Sequence, residues 1–370
     1  MKKEQYEILN ILRGISAFMV VFYHFCIYFF AYPRSSASFV KTETVYLSNP
    51  FYLTDLLSLP IHMQPLMVFS FFLISGFLIL PSLERYPNFP TYLLHKFLRL
   101  WPTFAVCFGT AILFLAAFSL YRDVPFPYSI NNVLSCFTWT RDILDYRLID
   151  GSFWTLEVQV KFYLLAGIVW YTGRKYFVEK LCFWTLLLSL IVYGFYILGD
   201  PLEEPPMIKM LRHELQIIAY ITLGTCLYAF HKKQLSWVRT LFLCAILCAA
   251  FVSPLFDWQT PRHLWAYLIG FGFFSCLLLF DMYVYKFKFN GIVGKVINWV
   301  ARISYPLYVG NMVPGFVMFY FLMEQGINVW WAILVGFIYS LAMAAFIHKI
   351  VELPSLRLSK AIITAQEEKP

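Results

Sequence analysis

Charge is what this sequence has least of. Asp, Glu, Lys and Arg make up 14% of its 370 residues, where soluble domains carry about 25%. With 60% of the chain apolar and 20% aromatic, one globular core cannot hide so much greasy surface, and a water-soluble fold is excluded. The same composition excludes intrinsic disorder, which needs high charge and low hydrophobicity. A disulfide framework is missing too. Of the eight cysteines, Cys26, Cys107, Cys182, Cys226, Cys244, Cys248 and Cys276 fall in or beside apolar runs and Cys136 stands alone in a polar stretch. Buried thiols are therefore expected, and no structural bridge. The first apolar stretch has no small-residue cleavage site, so it reads as part of the mature chain and not as a signal peptide. No repeat, low-complexity tract or linker interrupts the rest.

What remains is an all-α polytopic integral membrane protein. A span needs about 20 mostly apolar residues to cross roughly 30 Å of hydrocarbon. Ten stretches qualify, at about 8–32, 65–83, 102–121, 153–172, 181–199, 213–230, 240–256, 264–285, 299–323 and 329–350. One membrane domain, 1–352, accounts for nearly everything, followed by a short polar tail at 353–370.

The net charge of +8 does not indicate nucleic acid, because the cations sit in short clusters between apolar runs. Counted over alternate connecting segments, 18 of the 29 Lys and Arg fall on the side of the N-terminus, among them Lys2, Lys3, Lys286, Lys288 and Lys369. Eight fall on the other side and three lie within spans. The positive-inside rule then puts both termini in the cytoplasm. Two outer loops are long, about 33–64 and 122–152. The second mixes aromatics with Asp123, Asp142, Asp145 and Asp150, a surface suited to a polar acceptor or to resting on lipid headgroups.

Ionisable groups inside a span cost about 2.5–3.5 kcal/mol each on insertion scales and normally face protein or a water-filled cavity. In the first span Arg13 and His24 are eleven residues apart, three turns plus about 20°, so they share a helix face with about 16 Å between them. Arg offers a rigid fork of donors for phosphate or carboxylate, and a buried imidazole suits general base chemistry. Ser75 and Gly76 in the second span supply a hydroxyl and a close approach. Lys96 and Arg99, three residues apart, can clamp an anion or simply anchor the span. Glu157 and Lys161 are i,i+4 neighbours and are expected to neutralise each other, while Gln159 points about 200° away from Glu157. In the ninth span Pro306, Gly310 and Pro314 forecast a broken helix, with Arg302, Ser304, Tyr305, Tyr308 and Asn311 around the break.

Arg13 with His24 ten residues further on, then SGFLI, KFLRLWP, FWTLEVQVKFYLL and ISYPLYVGN, together resemble the membrane acyltransferase-3 family over about residues 7–354. The resemblance implies a bacterial inner-membrane O-acyltransferase, most simply an acetyltransferase. Such an enzyme moves an acyl group from cytoplasmic acyl-CoA to a hydroxyl of a surface glycan or lipid-linked sugar. It implies His24 as the catalytic group with Arg13, and phosphate contacts from Arg13, Lys96 and Arg99. Ser75, Glu157, Arg302, Tyr305 and Asn311 would line the substrate cavity; on donor chemistry alone, Ser75 and Tyr305 are the candidates to face a developing oxyanion. Acetyl-CoA enters as co-substrate, and no tightly bound cofactor or metal is expected. Two positions depart from the family pattern: Gln159 stands where it has Glu, and Asn311 where it has His. The competing readings are a catalytically altered member of the same family, on the strength of those two departures, and a secondary transporter or exporter of a polar or sugar substrate, for which the pattern offers only one clear helix interruption instead of a matched pair.

Overall fold

A computed structural model describes residues 7–46, 63–199, 205–252, 261–283 and 291–367. Lys2, Lys3, Lys286, Lys288 and Lys369 lie outside these ranges, as do half of the 33–64 loop and the ends of the seventh and eighth expected spans.

Sixteen α-helices, two short π-helices and no strand are found among the described residues. The α-helices are α1 (Glu7–Phe22), α2 (Phe29–Ala31), α3 (Pro33–Val40), α4 (Met63–Phe77), α5 (Ile79–Leu83), α6 (Phe89–Tyr121), α7 (Ile130–Phe137) and α8 (Trp154–Thr172). Then follow α9 (Phe177–Leu198), α10 (Pro206–His231), α11 (Trp237–Val252), α12 (Pro261–Tyr283), α13 (Gly291–Val309), α14 (Met312–Glu324), α15 (Val329–Ile347) and α16 (Leu353–Glu367). Helix occupies part of each of the ten apolar stretches. Four continuous runs are long and apolar enough to cross a bilayer: Glu7–Ala31, Phe89–Tyr121, Phe177–Leu198 and Val329–Ile362. The bent pair Gly291–Val309 and Met312–Glu324 makes a fifth. The chain is thus a helical, multi-pass membrane protein.

Side-chain pairings give the helix directions. Arg13 meets Ser304 and His24 meets Asn311, so α1 and α13 ascend together. Tyr305 meets Leu100 and Gln325 meets Tyr121, so α6 ascends beside α13 and α14. Helix α8 descends against α6, with Phe153 beside Phe104 and Tyr163 under Lys96. Small residues permit the closest crossings. A Cβ on Gly76 would stand 1.8 Å from the Ile221 carbonyl oxygen, and one on Gly224 would stand 2.2 Å from that of Leu73. Helices α4 and α10 therefore touch backbone to backbone.

Three local features shape the centre. Between α1 and α2 the chain winds as a π-helix over Tyr23–Tyr28, where the Phe29 amide donates to the carbonyl of His24. Wide turns of this kind recur at functional sites. Second, α13 and α14 meet at a 75° bend where Pro306 and Pro314 withhold backbone donors. Third, residues 353–367, expected as a polar tail, form α16. Its Ser359 hydroxyl lies 2.6 Å from His95 Nδ1 of α6, with a second π-helical stretch, His348–Glu352, leading into it.

Candidate functional site

At the end of the bundle where α1 and α6 begin, a cleft opens between α1, α4, α6, α8 and α13, with about 860 Å³ of empty space including its mouth. Arg13, Lys96 and Arg99 line it together, against one carboxylate, Glu352. That carboxylate is already held by His348 Nδ1 at 2.6 Å. Arg13 Nη2 donates to Ser304 Oγ at 3.2 Å, and Ser304 passes its own proton to the Ala301 carbonyl at 2.8 Å. Lys96 is only 6% exposed. Its ammonium lies over the faces of Tyr163 at 4.0 Å and Tyr92 at 5.4 Å, and no carboxylate pairs with it among the described residues. A buried cation resting on aromatic faces alone is incompletely compensated, which makes the cleft receptive to an anion.

Ser75 lines the cleft and accepts a hydrogen bond from Gln159 Nε2, which also donates to the Tyr163 hydroxyl at 2.9 Å. Ser75 thereby keeps its own proton for a ligand. Tyr305 also lines the cleft, but its hydroxyl donates to the Leu100 carbonyl at 2.8 Å. Its proton is committed, so the expected oxyanion donor role does not fit it.

Thr155, Phe71 and Tyr308 also line the cleft. The Thr155 and Tyr308 hydroxyls are 3.0 Å apart, and the Phe71 and Tyr308 rings are 5.3 Å apart. Behind Tyr308 lies the imidazole of His24, 4% exposed. His24 and Arg13 share a helix face as expected, yet only Arg13 is on the cleft wall; the two are separated by the Tyr308–Asn311 turn.

The His24 tautomer follows from its surroundings. Asn311 Nδ2 donates to the carbonyls of Leu307 at 2.9 Å and Tyr308 at 2.8 Å. Those two acceptors fix the amide orientation and leave Oδ1 as an acceptor 2.7 Å from His24 Nδ1. His24 therefore carries its proton on Nδ1, and Nε2 presents a lone pair. A neutral amide oxygen here performs the orienting job that a carboxylate often performs. Next door, the buried Phe25 ring fills a notch where a Cβ on Gly315 would approach it to 2.4 Å and one on Gly336 to 3.3 Å. That fit locks the π-helical turn in place.

Other expected residues lie elsewhere. Arg302 is exposed and is not on the cleft wall, because it precedes Ser304 by two residues, about 200° around the helix. Glu157 is buried away from the cleft, where its carboxylate takes Arg141 from the loop before α8 with Nε to Oε1 at 3.0 Å. Lys161 is not its partner. The ammonium instead bridges Asp142 and Glu214, the latter at 2.5 Å. Charges from two other elements outcompete the i,i+4 neighbour. Burial would raise the Asp142 carboxyl, but its hydrogen bonds with Glu214 and Lys161 hold it below its ordinary value. Burial also works against the Arg141 charge, and the Glu157 contact more than restores it. Sequence reasoning did not place Glu352, Tyr163 or Asp150 in or beside the site. Of these, Glu352 carried a signal, as a lone carboxylate four residues after His348 at the end of the last apolar run.

Known proteins offer one point of comparison. No curated protein sequence and no solved structure matches the chain. The family model described as an acyltransferase domain, that of the acyltransferase-3 family, matches residues 6–349. That match takes in the broken helix, the His24–Asn311 pair and every cleft residue except Glu352, and the chain belongs to the acyltransferase-3 family.

Proposed function

We propose that this protein is an integral-membrane O-acyltransferase of a bacterial inner membrane, with acetyl-CoA as its simplest donor. The acceptor is a hydroxyl of an extracytoplasmic or lipid-linked glycan. The excess of Lys and Arg on the side of the N-terminus supports a cytoplasmic mouth for the basic cleft, on the side where acyl-CoA is found. Arg13, Lys96 and Arg99 receive the donor's phosphates, and the acyl end reaches inward past Phe71 and Tyr308.

One observation carries this reading: Tyr308, on the cleft wall, gives its carbonyl to the same Asn311 amide that orients His24. A cation-lined cleft and an oriented base are thus joined through one helical turn. His24 Nε2 removes the acceptor's hydroxyl proton, and the oxygen attacks the thioester carbon. The carbon–sulfur bond breaks, and the leaving thiolate takes the proton back from the imidazolium.

The test is thioester consumption by purified protein supplied with radiolabelled acetyl-CoA and candidate glycans. Wild type transfers label and His24→Ala does not. Equal turnover by the variant removes the base assignment. Label found only as free acetate would rule out glycan transfer.

A further inference from the structure

We propose that Asp150 is a positioning residue for the imidazole, acting through Val313 and Asn311. This rests on the reading of His24 as the base.

Asp150 is completely buried, and no Lys or Arg pairs with it among the described residues. Burial pushes its carboxyl above the ordinary value, and hydrogen bonds from Ser152 and Val313 work in the opposite direction. Oδ1 accepts from the Ser152 amide at 2.9 Å and its hydroxyl at 2.5 Å. Oδ2 accepts from the Val313 amide at 2.9 Å, in the first turn of α14. A helix N-terminus leaves several amides without intrahelical partners and favours a negative charge.

Asn311 occupies the N-cap of α14, and asparagine is among the best residues for that task because its side chain can accept from the first turn. Here it makes no capping hydrogen bond. Its amide is turned backward onto Leu307 and Tyr308, and its oxygen faces His24. Asp150, arriving from a different segment, supplies the missing cap. Two contacts hold that segment in place. Thr155 bonds Tyr308, and Gly151 packs so closely that a Cβ would meet Met312 Sδ at 2.7 Å. The borrowed cap frees Asn311 to hold the imidazole. Without it, the Asn311 side chain is drawn back to its own helix and His24 loses its orienting acceptor.

The experiment uses purified full-length protein, acetyl-CoA and the glycan acceptor that takes label in the transfer assay, with thiol release as the readout, and compares kcat with KM. Asp150→Ala is expected to lower kcat roughly 10-fold, with KM for acetyl-CoA unchanged within about two-fold. Asp150→Asn keeps one acceptor for the Val313 amide and recovers part of the loss. Ser152→Ala leaves the Val313 contact intact and stays near wild type. Asp150→Ala combined with Asn311→Ala is no slower than Asn311→Ala alone, since both act through one contact. Losses that multiply, or a change confined to KM, overturn the proposal even if Asp150→Ala unfolds part of the protein, because Asp150→Asn carries the same comparison. If His24→Ala keeps wild-type kcat, the base assignment fails and this inference falls with it. If His24→Ala is inactive while Asp150→Ala and Asp150→Asn are not impaired, this inference alone falls.

Discussion

Replacing Lys96 by Met separates a ligand-binding cation from a membrane anchor, because the two roles predict opposite results. In the free protein the ammonium is buried on two tyrosine faces without a carboxylate partner. Met has nearly the same length and no charge to desolvate. The substitution therefore should not lower the unfolding temperature and can raise it, since burying an unpaired charge is unfavourable. Binding moves the other way. A charge-assisted hydrogen bond to a phosphate contributes about 1.5–3 kcal/mol, and 1.36 kcal/mol is a factor of ten. Loss of the contact thus weakens acetyl-CoA binding about 10- to 150-fold. The assay is filter binding of radiolabelled acetyl-CoA to protein in nanodiscs, at low and moderate salt, beside a thermal unfolding curve. The wild type's affinity should fall more steeply with salt than that of Lys96→Met, because one screened contact has been removed. Unchanged affinity with a lowered unfolding temperature would refute the reasoning and make Lys96 a structural residue.

Two further outcomes follow from the geometry. Gly224→Ala places a Cβ 2.2 Å from a backbone oxygen of α4, so α4 and α10 must separate. A loss of about 1–3 kcal/mol in thermal unfolding is expected, against almost none for Gly109→Ala, whose added Cβ meets nothing within 4 Å. Tyr305→Phe removes only the hydrogen bond to Leu100. It should cost about 1 kcal/mol of stability and leave kcat within about two-fold, whereas a fall of a hundred-fold would return Tyr305 to the oxyanion.

Several site residues were legible before any coordinates because helical geometry is local. Arg13 and His24 share a face on spacing alone, and Gln159 and Glu157 were separable by the same arithmetic. The broken ninth span was equally visible, because proline lacks a donor wherever it stands. Partner choice was not visible. Glu157 and Lys161 satisfied the i,i+4 rule and still paired elsewhere, since Arg141, Asp142 and Glu214 arrive from segments that no local rule connects. Arg302 lay in a run of site-like residues and faces outward, because the helix phase decides its surroundings.

Composition and apolar runs determined by themselves that this chain is a helical membrane protein, and five motifs in order indicated its family. Those properties depend on transfer from water and on periodicity, which are sums over neighbours in the chain. Tertiary structure alone decided that Asn311 turns from capping its helix to holding His24, that Asp150 caps in its place, and that Tyr308 stands between the cleft and the imidazole. The first two are competitions for one hydrogen bond and the third is a matter of packing; they join groups up to 287 residues apart, and only the packed bundle brings those groups together.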